Sequence, residues 1–261
     1  MSSDHYRGAA VGWATGATLV YAPIAARLVD RRPLPLTGAT VLDVGAGTGV
    51  CETPLRAAGV ATIVGVDLSY DMLAWNGACR PPAVVADIMQ LSFRSECFDA
   101  AVASFVLNHL TDPVGGLREL LRVVRPRGAV LATVFASTSS SANRDTIDEI
   151  AQAHGWSAPS WYTDLKANAI PLLGTAAPMS AAAADAGLVD IEADEGEVDV
   201  GITDPSALVD YRFGQAQFSG WLASLSPRAR ADFRSAAKDA IADTMEPYRP
   251  RVVFLSARAA P

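Results

Sequence analysis

Lysine is almost missing from this chain: of 21 basic residues only Lys166 and Lys238 are lysines, and the arginines are scattered without forming a block. With a formal charge of -7, a duplex or tRNA would be held against net repulsion, so nucleic acid is disfavoured as a partner. Cysteine is scarce too. Cys51, Cys79 and Cys97 make no C-x-x-C pair and no even-numbered framework, which excludes a disulfide-stapled fold and fits a reducing cytoplasm. Each reads as a small buried apolar residue rather than a nucleophile. No apolar run is long enough to span a bilayer, so no membrane partner is expected. The uncharged stretch from Gly8 to Ala26 comes nearest to a targeting segment, but Gly12, Gly16 and Pro23 interrupt it and Thr15, Thr18 and Tyr21 make it too polar. No metal ligand set is expected either.

What the chain does have is a packable core, with 50% hydrophobic and 19% charged residues over 261 positions. Short apolar runs alternate with helical stretches. Strands are expected at Thr40–Val44, Thr62–Asp67, Ala83–Asp87, Phe98–Phe105 and Ala129–Phe135, each bounded and apolar like members of a parallel sheet buried on both faces. Between them, Ser69 and Asp112-Pro113 signal helix starts, while Gly59 and Arg125-Pro126-Arg127-Gly128 signal stops. Such alternation predicts an α/β, Rossmann-like, doubly wound sheet. From Ser137 to Thr175 the alternation fails. It resumes with a helix at Met179–Ala186 and one or two strands in Val189–Val200, fails again over Asp204–Met245, and closes with a strand at Arg251–Ala257.

In such a sheet, ligands bind beyond the carboxyl ends of the strands, at the switch point beside the first strand. There the chain reads VLDVGAGTG, residues 41–49. Glycine permits positive φ and lets the backbone approach a ligand, and the following helix aims free N–H groups at the same place. The spacing is not that of dinucleotide enzymes: after Gly45 and Gly47 the third glycine is Gly49, and position 50 is Val50. Asp43 would repel a pyrophosphate and favour a cation. Asp67 ends the second strand, where a carboxylate accepts bonds from both hydroxyls of a ribose, and Asp87-Ile88 ends the third, offering an acceptor for an exocyclic amine beside an apolar wall. A sugar, an adenine and a positive charge are all provided for.

Together with VGVDLS, VVADI and the stretch from Phe98 to Leu131, this loop resembles the class I S-adenosylmethionine-dependent methyltransferases, in particular those acting on small molecules. The resemblance covers roughly residues 38–135. It implies a seven-stranded, mostly parallel sheet with the last strand antiparallel and with helical lid insertions. It also implies S-adenosyl-L-methionine as cofactor. Carried over, Gly45, Ala46 and Gly47 would approach the methionine portion and Asp43 would organise its amino end. Asp67 would hold the ribose, with Leu68 flanking the adenine and Met72 near it; Asp87 and Ile88 would take the adenine edge and face, and Phe105 would line the sulfonium.

Methyl transfer from a sulfonium needs alignment in a water-poor pocket more than it needs a base. Where the acceptor is a phenol, alcohol or enol, His109 is the candidate base, following the fourth strand and titrating near neutrality; His5 and His154 have weaker claims. Trp13, Tyr21, Asn108, Trp156 and Phe218 are the candidate acceptor contacts, in a lid that also holds Trp161, Tyr211, Phe213 and Trp221. An aromatic lid suits a bulky, partly hydrophobic small molecule such as a secondary metabolite. The expected organisation is an N-terminal lid segment at 1–36, a cofactor-binding core at 37–136, a lid insertion at 137–176, a core continuation at 177–202, a second lid at 203–249 and a final strand at 250–261. Two other readings stay open: the same fold acting as a cyclase or isomerase with its cofactor unconsumed, and a non-catalytic binding module. A homodimer is also left open.

Overall fold

The computed structural model describes residues 4–261. Seven strands form one sheet in the order β3-β2-β1-β4-β5-β7-β6. They are β1 (Thr40–Val44), β2 (Thr62–Asp67), β3 (Ala83–Val85), β4 (Phe98–Ser104), β5 (Val124–Phe135), β6 (Val189–Glu197) and β7 (Arg251–Arg258). The first five are mutually parallel and β7 runs antiparallel to both β5 and β6, as the α/β expectation required. The chain winds outward from β1 to β3, then returns to lay β4 on the other side of β1. The switch point therefore falls between β1 and β4.

Strand periodicity divides the core into two. Val41, Ala100, Val102, Leu131, Val252 and Phe254 point to one face, while Leu42, Val44, Ala101, Ala103, Val130 and Leu255 point to the other. Neither face of the central strands meets water, which is why their sequences are continuously apolar.

On the first face lies the N-terminal helix, built of a single turn α1 (Ala10–Gly12), a π-helical turn (Trp13–Ala17) and α2 (Thr18–Asp30). The same face carries α3 (Glu52–Ala57), α5 (Pro113–Val123) covers the other, and α4 (Tyr70–Ala74) packs by β2 and β3. Next come α6 (Ala142–Ala153), α7 (Ser160–Asp164) and α8 (Ala176–Asp185), and finally α9 (Pro205–Phe213), α10 (Ala216–Ser224) and α11 (Pro227–Ile241). The start signals act as expected: Ser69 and Asp112 accept backbone N–H bonds from Met72 and Gly115, and Ser226 caps α11 in the same way through the Ala229 N–H.

Gly16 and Gly214 face each other where the π-helical turn crosses the end of α9, and a methyl group on either would run into the other segment's backbone. The glycines that interrupt the uncharged stretch are there so that two helices can touch.

Several boundaries differ from expectation. β5 begins at Val124, because the Arg125–Gly128 stretch bends within the strand, with Arg127 at φ 64°, instead of leaving the sheet. β3 stops at Val85, since Asp87 turns to cap a 3-10 turn at Ile88–Gln90. β4 ends at Ser104, where Phe105 adopts a left-handed backbone, φ 59°. Cys51 is buried as expected, but Cys79 is exposed in a surface turn and Cys97 is half-buried. No helix among the described residues is long and apolar enough to cross a membrane.

Candidate active site

A cavity of about 550 Å³ opens beyond the carboxyl ends of β1, β2 and β4. Its floor is the loop after β1. Gly45 and Gly47 have φ of 67° and 50°, and a methyl group at Gly45 would clash with the side chain of Val106 after β4, so this loop needs glycine for both conformation and fit.

Two groups hold the loop. Asp67, which lines the cavity, accepts the Gly47 N–H at 2.8 Å and the Ser69 N–H at 2.9 Å, one on each oxygen, which leaves a lone pair free on each. Burial raises its pKa, and those two N–H bonds oppose the rise. Arg80 donates through one nitrogen to the carbonyls of Gly47 (3.0 Å) and Leu73 (2.8 Å), clamping the loop to the end of α4. Nothing in the motifs pointed to Arg80.

Asp43 is 3% exposed and lies under the loop, not on the cavity wall where the resemblance put it. Its Oδ1 has no partner among the described residues, and burial pushes its carboxyl up to about 7 despite a bond from the Cys51 thiol and the charge of Arg80. A buried acid with one oxygen unpartnered next to a glycine loop suits a cation on the other side.

The second half of the wall brings together Asp87, Leu68, Met72 and Ile88. Asp87 reaches it while accepting the Met89 N–H at 2.9 Å, and Leu68, Met72 and Ile88 supply apolar surface around it. Ala46 and Phe105 also line the cavity. A bulky residue in the left-handed region is strained. Phe105 is held there by packing against Tyr21 (4.7 Å between ring centres) and Phe135 (4.4 Å).

At the other end stand His109 and Asn108, both on the 3-10 turn Leu107–His109. Asn108 is buried with its Oδ1 unpartnered among the described residues. His109 Nε2 lies 3.2 Å from the Tyr6 hydroxyl. Burial, helped by His5, drives the imidazole down to about 4, so it does not titrate near neutrality as expected from sequence; it is neutral at pH 7. Burial likewise raises Tyr6 well above the ordinary tyrosine value.

Tyr6 belongs to the N-terminal segment expected as part of the lid, though Tyr6 itself is not among the candidate site residues read from sequence. Residues 4–8 cross the cavity mouth and are fastened on the far side: Asp4 accepts from Ser69 Oγ at 3.0 Å, and the Gly8 N–H donates to Asp71 at 3.0 Å. His5 stacks on Trp161 of α7 with ring centres 4.9 Å apart. No residue pattern marks this strap, because the contacts that fasten it, to Ser69, Asp71, His109 and Trp161, are distant in sequence.

Of the aromatic lid, Trp13 and Tyr21 reach the cavity, but Trp156 and Phe218 do not. They stack on each other (4.3 Å), with Trp156 Nε1 donating to the Gln217 carbonyl, inside the core beneath α9 and α10. Tyr211, Phe213 and Phe233 share that core. Under it, Arg212, 2% exposed, gives two bonds to Asp148 (2.7 and 2.6 Å) and one to Gln215, which in turn donates to the Tyr21 hydroxyl at 3.3 Å. Tyr21 is thus fixed from behind, with its ring left to the cavity.

A glycine loop at the switch point, with acids at the end of β2 and just beyond β3, is the arrangement of a Rossmann-like nucleotide-binding domain. Residues 42–132 match the family described as a methyltransferase domain. A demethylmenaquinone methyltransferase of Mycolicibacterium paratuberculosis is 39% identical over 104 residues, 40% of this chain and 45% of that one, so the chain spans about half the length of the curated relatives it matches. Among solved structures, the [4+2]-cyclase SpnF has a similar fold (TM-score 0.57, 20% identity, covering 92% of this chain and 80% of that one). So has phosphoethanolamine N-methyltransferase 2 of Haemonchus contortus, solved with phosphomonomethylethanolamine and S-adenosylhomocysteine (TM-score 0.58, 19% identity, 91% and 52%). The matched segment carries the glycine loop and both acids, and the strand order around it is that of a Rossmann-like fold similar to these solved structures.

Proposed function

We propose that this protein binds S-adenosyl-L-methionine and transfers its methyl group to a small, partly hydrophobic acceptor. The observation that carries the reading is the arrangement around the glycine loop: Asp67 with spare lone pairs on both oxygens, Asp87 on the next strand end, and the unpaired Asp43 below. That donor set fits a ribose, an adenine amine and a cation.

When bound, the cofactor supplies an electrophilic methyl group and a neutral thioether leaving group. Everything else falls to the chain. Asp67 accepts from the ribose hydroxyls and Asp87 from the adenine amine. Leu68, Met72 and Ile88 exclude water from the base. Phe105, Tyr21 and Phe135 make a dry aromatic wall at the reacting end, where alignment is worth effective molarities on the order of 10⁵ M or more. His109 is neutral and so able to receive a proton on Nε2. Since the Tyr6 hydroxyl occupies that nitrogen, a proton leaving the acceptor passes through the Tyr6 oxygen or displaces its bond. An imidazole of such low basicity assists an acidic hydroxyl and not an alkyl alcohol.

The test has two stages. Calorimetry with S-adenosylhomocysteine should give tight one-to-one binding that a nicotinamide dinucleotide does not match. Mass analysis of acceptors incubated with cofactor should then give a gain of one methyl group with equal formation of S-adenosylhomocysteine. Conversion of an acceptor without that gain, with the cofactor unconsumed, would overturn methyl transfer in favour of the cyclase or isomerase reading. Binding of the dinucleotide in preference to the sulfonium compound would overturn the site assignment itself.

A further inference from the structure

The charges around the cavity select the acceptor, given the cofactor reading above. Asp4, Asp67, Asp87 and Asp164 contribute to its wall, and among the described residues no lysine or arginine does. The nearby guanidinium groups are already committed. Arg212 lies behind Tyr21, bonded to Asp148 and Gln215, and Arg80 is turned under the loop onto backbone carbonyls. A phosphate or carboxylate brought into this space would lose its water and find carboxylates for neighbours, with no cation to offset either loss.

A cationic acceptor is no better served. The carboxylates Asp67 and Asp87 are occupied with the cofactor's sugar and base, Asp4 already accepts from the Tyr6 N–H and Ser69 Oγ, and Asp164 sits on the exposed rim. An ammonium in the interior would also share the cavity with a sulfonium, and would have to lose its proton before it had a lone pair to offer. The groups that do face the interior beside Phe105 are neutral: the Tyr6 hydroxyl, His109 Nε2 and the unpartnered Asn108 Oδ1, which wants a donor. Around them stand flat ring faces, Trp13 packed 5.3 Å from Tyr6 and Trp161 6.5 Å from it.

We propose that the acceptor is an uncharged planar ring bearing a hydroxyl, held among Tyr6, Trp13 and Trp161 with its hydroxyl at the Tyr6–His109–Asn108 cluster, and that acceptors carrying a phosphate, carboxylate or ammonium group are rejected.

The experiment is calorimetry on the full chain saturated with S-adenosylhomocysteine, at pH 7, with four probes of one shape: 2-naphthol, 2-naphthoate, 2-naphthyl phosphate and 2-naphthylmethylammonium. 2-Naphthol should bind at least about tenfold more tightly than each charged probe. Trp161→Ala should weaken 2-naphthol about tenfold while leaving S-adenosylhomocysteine affinity unchanged. A charged probe that equals or exceeds 2-naphthol, or failure of 2-naphthol to bind the loaded protein, overturns the inference. Failure of S-adenosylhomocysteine itself to bind would instead remove the cofactor reading, so the two failures are told apart in the same titration series.

Discussion

His109 and Asp43 should give this protein two opposed pH dependences that single substitutions uncover. Burial lowers the imidazole of His109 from 6.5 to about 4. Its unfolded form therefore binds a proton that the folded form refuses between those values, and the stability it permits is full above 6.5 and is lost as pH falls toward 4. The gap corresponds to about 3 kcal/mol. Asp43 goes the other way. Raised from 3.8 to about 7, its carboxyl is neutral in the folded protein where it would be ionised in the unfolded one, so its contribution is full below 3.8 and is lost as pH rises toward 7. Here the gap corresponds to about 4 kcal/mol.

Surface groups and Asp67, which is also raised by burial, add their own slopes, so the informative quantity is the difference between variant and parent at each pH. His109→Gln removes a group that penalises the folded state only in acid, so relative to the parent it should gain about 3 kcal/mol between pH 7 and pH 4. Asp43→Asn should do the reverse, gaining about 4 kcal/mol relative to the parent between pH 4 and pH 7. Urea unfolding at half-unit intervals of pH from 4 to 7.5 measures both differences, and buffers of equal ionic strength keep screening constant. Flat difference curves would mean that water reaches both groups in the folded protein. The dry cavity, and with it the neutral base at its end, would then have to be given up.

Three further outcomes can be checked separately. Asp67→Asn keeps the shape but presents an amide N–H₂ to one of two backbone donors, and the two charge-assisted bonds to ligand hydroxyls weaken; S-adenosylhomocysteine affinity should fall by about 3 kcal/mol, roughly a hundredfold by calorimetry, and a change of less than threefold contradicts the ribose assignment. Gly16→Ala forces a methyl group into the backbone of α9, so a cost of about 1–3 kcal/mol is expected, seen as a thermal midpoint several degrees lower; an unchanged midpoint would show that the helices do not cross so closely. Tyr6→Phe removes the hydroxyl from His109 and should lower kcat with a hydroxylated acceptor by about a hundredfold without altering S-adenosylhomocysteine binding; equal loss of both would make Tyr6 a strut of the strap and not part of the proton path.

The part of the site that could be read from the sequence is the part made by local rules. Gly45 and Gly47 are required by their own φ angles, Asp67 and Asp87 stand where two strands end, and Ser69 and Asp112 cap the helices that follow, so each is visible within a window of a few residues. The acceptor end obeys no such rule. Tyr6 meets His109 across 103 positions and Asp4 meets Ser69 across 65, and neither pairing leaves a period or a spacing in the chain. Aromatic residues in the lid were equally ambiguous. Trp13 and Trp156 look alike in sequence, yet Trp13 is carried to the cavity by a π-helical turn whose extra residue rotates the helix, whereas Trp156 follows α6 into a core that Arg212 and Asp148 organise from beneath.

The same division explains why the family and the acceptor separate in the comparisons. Residues 42–132, which match the methyltransferase domain, include the loop, both strand-end acids and His109, but exclude Tyr6, Trp13, Tyr21, Phe135 and Trp161. Every flat ring proposed to hold an acceptor therefore lies outside the shared segment. A relative such as the demethylmenaquinone methyltransferase, aligned over 40% of this chain, can share the chemistry of the cofactor end without sharing its acceptor. Selection among acceptors must be made by the strap, the π-helical turn and α7, whose positions depend on the Gly16–Gly214 crossing and the Ser69 and Asp71 anchors. Substitutions at those anchors should consequently change which probes bind before they change how tightly S-adenosylhomocysteine does.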